Sequence, residues 1–536
     1  MKKITLFITS LLFVTLLFAQ AKPKKSSKNT FTNPFIHADF PDLSVTRKGS
    51  DYYMISTTMH LMPGAPILKS KDLVNWELKS YLFDSLKNSP KYDLIDGESA
   101  YGRGQWASSI RYHKGKFYAM FSTNSPSTGN IYSAMDPEGK WERVSQMQQF
   151  HDPSLFFDDD DRVYVFSGTG SLTELKSDLS GVQPGGVNMQ FFKRDASETN
   201  LLEGSQAFKY KGKYYVIMIS WPSGQLRREV CYRADSITGP YEKKVILERD
   251  FTNRGGVGQG CMIDTEDGRW FCLMFHDRGA VGRVPILVPV RWTDGWPMLG
   301  DENGEVQVVA DKPIKGYPKA PSTIISDKFN KKKLALSWQW NHNPINSAWS
   351  LTERKGFLRL KTSRVVENIF LAPNTLTQRM EGLISQGTIG LNVSKMKEGD
   401  VAGLSSFCGD AGLLSVVKEG ENKFLLLSSN GIILDNNKKV TGEKRIELER
   451  VPLKKDKVYL RVYTDFSRNK DLATFSYSLD NKKWQTIGKP IKMIFNYRTM
   501  FMGTRYGIYN YATKSLGGWV DVDFFKHENL QNYEQR

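Results

Sequence analysis

The stretch HDPSLFFDDDDRVYVFSGTG, residues 151–170, holds two acidic features whose residue types could do chemistry. Residues 158–161 form an unbroken run of four carboxylates, a composition that suggests metal binding. Asp152 stands alone ahead of that run, between a histidine and a proline. Which of the two features is functional depends on the elements that position them.

A repeated pattern of short strands organises residues 33–300. Each unit has a small residue, a short apolar strand, a charged turn, and a second strand that opens with aromatic or β-branched residues. Antiparallel units with a period of roughly 45–65 residues are typical of propeller blades. We therefore predict five blades, aligned on Ser44, Ser108, Ser154, Ser205 and Gly260.

The alignment gives the acidic run a structural role. Residues 158–161 fill the slot that other units fill with KGS, HKGK, KGK and EDG, the turn between the two strands. Aspartate and glycine favour such turns because they tolerate positive φ, and aspartate also bonds its own backbone. Neighbouring carboxylates in a tight turn do not converge on one point, so we expect a hairpin turn there and no metal site.

A second slot of the repeat, two residues before the aligned small residue, is rich in carboxylates. Equivalent positions of successive blades lie around the propeller axis, so the residues of this slot should gather at one mouth of the channel. Each acid alone would be explained as a turn or capping residue, but three in one slot favour glycoside hydrolysis, which needs two carboxylates. A third carboxylate raises the pKa of the acid by like-charge repulsion, and an indole offers a flat face to a sugar ring. The slot holds Asp42, Trp106, Asp152, Glu203 and Gly258.

At these motifs the chain resembles glycoside hydrolase family 43, five-bladed propeller enzymes that act on β-xylosides and α-L-arabinofuranosides. The resemblance implies that Asp42 is the general base, Glu203 the general acid, and Asp152 the residue that orients the acid and modulates its pKa. It also implies inversion of the anomeric configuration, which requires the base and acid carboxyls to stand roughly 6.5–9.5 Å apart. The matching segments are NPFIHADFPDLSV, PGAPILKSKDLVNWE, GQWASSIRYHKGKFYAMFS, HDPSLFFDDDDRVYVFSG, LLEGSQAFKYKGKYY and GAVGRVPILVPVRWTDGWPMLG.

The resemblance also implies residues that bind the substrate. Trp106 matches a tryptophan that lines the sugar subsite, and Arg283 in GRVP resembles an arginine that reaches the substrate. A surface salt bridge is the alternative for Arg283. Phe40 flanks the base and is expected to shape the pocket, as are Asp39 and residues 62–64, with loop packing as their alternative.

Three positions depart from the family pattern. Leu43 replaces the second proline of PDPS, and Ser205 stands where the family has the proline of EGP. Gly258 or Gln259 occupies the place of a histidine that in many members helps to hold a central calcium ion, with His276 as a candidate substitute. None of these changes removes a reacting carboxylate, and we expect the chemistry to require no cofactor.

The second half of the chain is predicted to be a separate β domain. Around DKPIKGYPKAPST the composition is typical of a linker, and residues 323–536 contain many short alternating strands. WSLTERKGFLRL, TQRMEG and GGWVDVDFF resemble the concanavalin-like (jelly-roll) sandwich of the β-xylosidase branch of family 43, which implies that this domain closes one side of the pocket. Trp338 and Trp340 either form a carbohydrate platform or, as we favour, pack in the core or an interface.

A structural calcium ion is the metal for which this domain offers candidate ligands. Asp521 and Asp523 alternate along one strand and therefore share a face. Asp327 is the third candidate ligand.

Composition and the first residues bear on location. Residues 1–21 resemble a signal peptide, with Lys2 and Lys3, an apolar run and the cleavage pattern AQA, and a polar linker follows at residues 22–32. The apolar run is short for a membrane anchor, so we expect a secreted or periplasmic protein without membrane insertion after cleavage. Of the net charge of +17, six charges come from lysines in residues 1–30 and the rest is spread out, which argues against nucleic-acid binding. Four cysteines without metal-ligand spacing indicate free buried thiols.

The sequence thus predicts an all-β chain with a five-bladed propeller over residues 33–315 followed by a β-sandwich. Its predicted function is that of an exported, exo-acting, inverting xylan β-1,4-xylosidase on plant cell-wall xylo-oligosaccharides. An α-L-arabinofuranosidase acting on arabinoxylan or arabinan side chains is the alternative, because the same three carboxylates serve both. A carbohydrate-binding propeller without catalysis is an alternative of another class, which three mutually repelling acids argue against.

Overall fold

Antiparallel strands make up almost all of the regular structure. The computed structural model describes residues 29–531, and within them helix is limited to short 3-10 segments at Pro90–Asp93, Gly279–Val281, Asn346–Ala348 and Ile369–Leu371. The predicted signal peptide and residues 22–28 of the predicted linker lie outside the described residues. In the range 29–531 no helix is long and apolar enough to cross a membrane.

Five four-stranded antiparallel sheets follow one another along the first half of the chain, which confirms the predicted propeller. Blade 1 contains β2 (Ser44–Lys48), β3 (Asp51–Ile55), β5 (Gly64–Ser70) and β6 (Trp76–Phe83), and blade 2 contains β7 (Gln105–His113), β8 (Lys116–Asn124), β9 (Ser127–Ala134) and β10 (Glu142–Met147). Blade 3 contains β11 (Ser154–Phe157), β12 (Val163–Ser167), β13 (Ser171–Leu175) and β14 (Asn188–Gln190). Blade 4 contains β15 (Leu201–Tyr210), β16 (Lys213–Trp221), β17 (Arg228–Ala234) and β18 (Glu242–Leu247), and blade 5 contains β19 (Gly260–Asp264), β20 (Trp270–Asp277), β21 (Arg283–Thr293) and β22 (Trp296–Leu299).

The first strands of the blades form a closed ring around the propeller axis. Strand β2 contacts β7, β7 contacts β11, β11 contacts β15, β15 contacts β19, and β19 returns to β2. The aligned serines link this ring, since Ser44 Oγ accepts the Ile110 amide at 3.2 Å and Ser154 Oγ accepts the Ala207 amide at 2.9 Å. A small polar residue recurs in the repeat because neighbouring strands approach closely there.

Two details differ from or add to the sequence prediction. Strand β1 (Thr30–Thr32) falls within the predicted polar linker and pairs with β23 (Val309–Asp311), so the ends of the propeller segment are tied together. Residues 158–161 form the predicted turn between β11 and β12. Within that turn Asp158 is buried and accepts hydrogen bonds from Lys209 and Tyr214 at 2.8 and 2.7 Å, joining blade 3 to blade 4.

The C-terminal domain is a sandwich of two antiparallel sheets, as predicted. Its strands in chain order are β24 (Gln339–Asn341), β25 (Trp349–Ser350), β26 (Leu358–Lys361), β27 (Leu376–Arg379), β28 (Ile384–Lys395), β29 (Asp400–Phe407), β30 (Asp410–Glu419), β31 (Asn422–Leu434), β32 (Val440–Pro452), β33 (Lys457–Asp465), β34 (Leu472–Ser478), β35 (Gln485–Lys492), β36 (Arg505–Ala512) and β37 (Trp519–Asn529). One sheet has the order β32-β31-β30-β29-β36-β27-β24-β4, in which β4 (Leu61–Met62) comes from the propeller half of the chain, and the other has the order β25-β26-β37-β28-β33-β34-β35.

The propeller and the sandwich share structure. The two-residue propeller strand β4 (Leu61–Met62) is the outermost strand of the larger sandwich sheet, where Met62 pairs with Trp340. The apolar core of the sandwich continues into the propeller through Val281 and Val284. Hydrogen bonds also cross the interface, among them Thr504 N to Ala280 O at 2.8 Å. The sandwich is therefore fixed against the propeller and is able to contribute a wall to a site at its mouth.

The two tryptophans considered as a carbohydrate platform are packing residues. Trp338 is buried and its Nε1 donates to Asp327 Oδ2 at 3.0 Å. Trp340 is buried against Trp349 with ring centroids 5.2 Å apart. All four cysteines are buried and free, as predicted.

Candidate active site

A cavity of about 520 Å³ lies at the mouth of the propeller where the first strands begin. All five blades and the sandwich line it, and its volume is in the range that holds a small ligand. The structure brings together five of the predicted site residues in its walls, namely Asp42, Trp106, Asp152, Glu203 and Arg283.

Two backbone features direct the side chains of the slot into the cavity. Asp42 and Asp152 precede the first strands of their blades and have positive φ values of 54° and 46°. Aspartate tolerates this left-handed conformation better than most residues. Trp106 and Glu203 instead lie inside their strands, at breaks in the pairing register between Gln105 and Ser108 and between Glu203 and Gln206.

Asp42 and Arg283 form an ion pair in the cavity wall. Arg283 Nη1 donates to Asp42 Oδ1 at 2.8 Å, and the two side chains are only 5% and 9% exposed. The Arg283 guanidinium also lies over the Phe501 ring at 4.3 Å. Arg283 is therefore no surface salt bridge, and one oxygen of Asp42 stays available for another partner.

Asp39 and Phe40 hold this ion pair from behind. Asp39 Oδ1 accepts the Arg283 amide at 2.8 Å, and the Arg283 carbonyl accepts the Phe40 amide at 3.1 Å. Asp39 Oδ2 accepts the amide of Gly503 in the sandwich at 2.9 Å. The Phe40 side chain is fully buried under the Arg379 guanidinium at 4.0 Å and does not line the cavity, so the structure places it in the domain interface.

A cluster of three titratable groups lines the same cavity. His151 Nε2 lies 2.9 Å from Glu203 Oε2 and 3.6 Å from Asp152 Oδ2. The pKa of Asp152 is raised to about 7, chiefly by burial, with the charges of Glu203 and Asp42 acting in the same direction and His151 and the Gly204 amide opposing them. The hydrogen bond to Glu203 raises the pKa of His151 to about 9 despite its burial. Glu203 and His151 are about one third exposed, so both reach the cavity.

Sequence reasoning missed three groups of cavity residues. His151 was in view, because it directly precedes Asp152 in the motif, but no other unit has an aligned partner for it. Arg227 pairs with Asp277 and lies 4.9 Å from the Trp221 ring at the rim, and no sequence pattern joins these residues of blades 4 and 5.

The third group comes from the sandwich. Phe495, Tyr497 and Phe501 of the loop between β35 and β36 line the cavity. Phe501 packs edge-on to Trp106 with ring centroids 6.5 Å apart. The resemblance implied that the sandwich closes one side of the pocket, and this loop is the segment that does so.

The candidate calcium ligands of the sandwich do not meet. Asp521 accepts from Arg359 and Arg354 at 2.8 and 2.9 Å, and Asp523 pairs with Lys457 at 2.9 Å. Asp327 accepts from Trp338 and from the Phe329 amide. Each carboxylate thus has another partner, and these residues do not form a joint ligand set.

The centre of the propeller also holds a cation of its own. The half-buried Arg111 guanidinium donates to Ser154 Oγ at 2.8 Å, to Ser44 Oγ at 3.3 Å and to Gln206 Oε1 at 3.3 Å, thereby joining four blades. A calcium ion at this point would be repelled by that charge. His276, the candidate substitute ligand, lies on β20 near the Gly255 carbonyl.

The arrangement supplies the parts of acid–base hydrolysis of a glycoside. Asp42 is paired with Arg283, a permanent cation. Glu203 is partly exposed and lies beside His151, whose charge depends on its protonation. Trp106 and Phe501 provide apolar ring surface in the same cavity. Such a pair of carboxylates in a cavity of this size suits the glycosidic bond of a sugar.

Comparison with known proteins agrees with this chemistry. The model of glycosyl hydrolases family 43 matches residues 31–297, and that of the β-xylosidase C-terminal concanavalin A-like domain matches residues 326–528. A β-xylosidase from Formosa agariphila is 31% identical over 93% of this chain and 90% of its own. A non-reducing end α-L-arabinofuranosidase from Bacteroides ovatus is 30% identical over 70% of this chain and 74% of its own.

Two solved structures are similar over nearly the whole chain. A bifunctional GH43-CE protein from Bacteroides eggerthii has a TM-score of 0.87 and 43% identity over 94% of this chain, which spans 64% of that protein. An engineered family 43 hydrolase that displays both endo-xylanase and exo-arabinofuranosidase activity has a TM-score of 0.85 and 30% identity, with 94% of this chain and 100% of the other covered.

Proposed function

The chain belongs to glycosyl hydrolase family 43, and from this premise we propose that it is an exported, exo-acting, inverting β-1,4-xylosidase that releases xylose from xylo-oligosaccharides. Family membership confirms the resemblance found in the sequence and makes the chain a glycoside hydrolase. The alternative of a binding propeller without catalysis has no support in the cavity, where all three acids are in place.

One observation carries the proposal: Asp42 and Glu203, from blades 1 and 4, line one cavity with a different cation beside each. In the proposed reaction Asp42 takes a proton from water as the water attacks the anomeric carbon. Glu203 gives a proton to the departing glycosidic oxygen, so no charged alkoxide has to leave. Arg283 holds Asp42 Oδ1 and leaves Oδ2 for the water.

Substitution of the two reacting acids tests this mechanism. Glu203→Ala and Asp42→Ala should each lower kcat on an aryl β-D-xyloside by about 10²–10⁴-fold, while the circular dichroism spectrum stays that of the wild type. Exogenous azide should partly restore the Asp42 variant, because a small anion is able to replace the activated water. Near wild-type turnover by either variant would overturn the assignment.

Inversion is tested by the configuration of the first product. Proton NMR during hydrolysis of a β-xyloside should show α-xylose before mutarotation, as a single displacement requires. Initial formation of β-xylose would instead require a covalent intermediate and would reject the proposed roles.

The exo preference is proposed from the sandwich wall. Phe495, Tyr497 and Phe501 stand beside the cavity, so a long polysaccharide would have to displace them to bind across it. We expect xylose as the sole early product from a reduced, labelled xylohexaose, whereas early release of shorter oligosaccharides would indicate endo action.

An α-L-arabinofuranosidase is the second candidate, favoured by the named activity of the Bacteroides ovatus relative. The match to a β-xylosidase C-terminal domain and the wider coverage of the Formosa agariphila β-xylosidase favour xylose. A comparison of kcat/KM on aryl β-D-xyloside and aryl α-L-arabinofuranoside decides between them, and a higher value on the arabinofuranoside would reverse our choice.

Export and metal independence complete the proposal. Residues 1–21 carry the pattern of a signal peptide, so the mature protein should begin near residue 22 and appear in the periplasm or the medium. N-terminal sequencing of the fractionated protein tests this. Dialysis against EDTA should leave activity unchanged, because both proton transfers are assigned to protein carboxylates.

A further inference from the structure

The His151 imidazole occupies a position that the two-acid mechanism does not use. Its Nε2 is 2.9 Å from Glu203 Oε2 and 3.6 Å from Asp152 Oδ2, while its ring packs edge-on to Trp106 with centroids 5.7 Å apart. The side chain is 37% exposed, so one edge contacts the acid and the rest reaches the cavity. One ring nitrogen or carboxylate oxygen from each of His151, Asp152 and Glu203 lies within 4.8 Å of the others. Among the described residues, no other three His, Cys, Asp or Glu side chains approach one another so closely.

An inverting enzyme must reset both acids after each turnover. The departing oxygen carries away the Glu203 proton, and Asp42 has gained one from water. Asp42 is buried with Arg283, whereas Glu203 has an imidazole at hydrogen-bond distance. Glu203 therefore has a possible proton donor at hydrogen-bond distance.

We propose that His151 is the proton carrier that reloads Glu203 between turnovers. After the departing group leaves, the imidazolium Nε2–H transfers its proton to the Glu203 carboxylate, which becomes the neutral acid. The neutral imidazole then takes a proton from water or buffer through its exposed edge. Asp42 returns its extra proton to solvent, so each cycle consumes one water and leaves the protein unchanged.

Charged groups around the ring favour the protonated imidazole in the empty site. The groups near His151 are Asp152 in its own loop, Glu203 from blade 4 and Asp42 from blade 1, with Asp42 already paired to Arg283. The remaining charged residues of the cavity, Arg227 and Asp277, pair with each other. The His151 imidazolium is thus the cation that contacts Glu203 and Asp152.

The inference rests on the proposed role of Glu203, and substitution of His151 separates proton supply from positioning. The variant His151→Gln keeps a side chain able to donate to Glu203 but carries no transferable charge, whereas His151→Phe keeps only the ring against Trp106. His113→Gln is the matched control, because His113 is also partly exposed beside a carboxylate, Asp161, but lies outside the cavity.

The first assay compares aryl glycosides with poor and activated leaving groups. His151→Gln should lower kcat about tenfold or more on a 4-methylphenyl glycoside and leave the 2,4-dinitrophenyl glycoside within about twofold, since the latter needs no acid. Its kcat should rise with imidazole buffer concentration, whereas the wild type and His113→Gln should show no such dependence. A wild-type kcat of His151→Gln on both substrates, with a wild-type pH profile and no buffer dependence, would overturn the inference while the proposed function stands.

The second measurement does not depend on turnover. In ¹⁵N NMR the His151 ring, assigned by its loss in His151→Gln, should titrate well above the ordinary histidine value and move down in Glu203→Gln, because the neighbouring charge is removed. Identical titration in the wild type and in Glu203→Gln would show that the two groups share no proton and would reject the carrier role. Failure of the wild type to hydrolyse either glycoside would reject the proposed function instead.

Discussion

Replacing Asp152 by asparagine should make the protein less active and, above neutral pH, more stable. Asp152 is buried, and its pKa rises from 3.8 to about 7 because burial and the charges of Glu203 and Asp42 disfavour the carboxylate. Asparagine has nearly the same shape and keeps a carbonyl oxygen for the Gly204 amide. The change therefore removes a charge with little change in packing.

The magnitude follows from linkage between protonation and folding. In the unfolded chain the carboxyl titrates at 3.8, and in the folded chain at about 7, so the folded state binds more protons between these values. Stability is consequently lost as the pH rises from 3.8 to 7, by about 1.4 kcal/mol per unit and roughly 4 kcal/mol in total. Asparagine avoids this loss, but it also forgoes the attraction to His151, so we expect a net gain of about 2 kcal/mol at pH 8.

Thermal unfolding and kinetics measure the two sides of this prediction. With about 2 cal/mol/K of unfolding entropy per residue over a propeller of roughly 300 residues, a gain of about 2 kcal/mol raises Tm by about 3 °C. The difference in Tm between Asp152→Asn and the wild type should appear at pH 8 and vanish near pH 4. Turnover of a poor-leaving-group aryl glycoside should fall about 10²-fold, because the variant lacks the carboxyl that shares the His151 imidazole with Glu203.

The stability result at high pH is decisive. A Tm of Asp152→Asn below that of the wild type at pH 8 would mean that the carboxylate is stabilised where it stands, contrary to the effects of burial and like charge. Asp158→Asn is a suitable comparison, since Lys209 and Tyr214 lower the pKa of Asp158 against the effect of its burial, and its loss should destabilise the protein at that pH. Opposite signs for the two variants would support the argument.

Three further predictions concern the walls of the site and the domain interface. Arg283→Met should lower the unfolding free energy by about 3–5 kcal/mol in urea titrations, because it leaves the Asp42 carboxylate buried without a partner; no loss would contradict the buried ion pair. Phe501→Ala should raise KM about tenfold through lost ring contact, and an unchanged KM would remove the sandwich wall from substrate binding. Burial at the interface lowers the pKa of His60 to about 3 and that of His342 well below 6.5. Because the unfolded chain then binds more protons than the folded one, the free energy of unfolding should fall by about 1.4 kcal/mol per histidine for each pH unit below 6.5. In His60→Phe the drop in Tm between pH 7.5 and pH 5 should therefore be smaller than in the wild type.

Much of the fold was predictable because the blades repeat. A strand, a turn and a second strand recur at a regular period, and the turn slot explained residues 158–161 without any knowledge of contacts. The pairing of Thr30–Thr32 with Val309–Asp311 was not predictable, since three residues of ordinary composition carry no periodicity. The same holds for the strand Leu61–Met62, which takes its place in the sandwich sheet through contacts across the two domains.

The site divides in the same way between repeated and unrepeated positions. Asp42, Trp106, Asp152 and Glu203 were found because one slot holds them all, and the structure places them in one cavity. His151 has no equivalent in the other blades, and Phe501 belongs to a loop of another domain. Phe40 shows the converse: its nearness to Asp42 in sequence suggested substrate contact, but its side chain is buried in the interface against Arg379.

The partners of Asp42 and Glu203 account for the different roles proposed for these two acids. Arg283 carries a charge at every working pH and lies 2.8 Å from Asp42, so Asp42 has a permanent cation beside it, which suits the proposed base. An imidazolium, unlike a guanidinium, is able to give up a proton, so Glu203 has a proton donor 2.9 Å away, which suits the proposed acid. The repeat places carboxylates at equivalent positions of blades 1 and 4. Their neighbours Arg283 and His151 are not repeated, and they give the two carboxylates different surroundings. The identity of the neighbouring cation should therefore matter more than the length of the acid. Glu203→Asp should keep part of the activity, whereas His151→Arg should abolish turnover of substrates that need an acid, because a guanidinium does not give up a proton to Glu203.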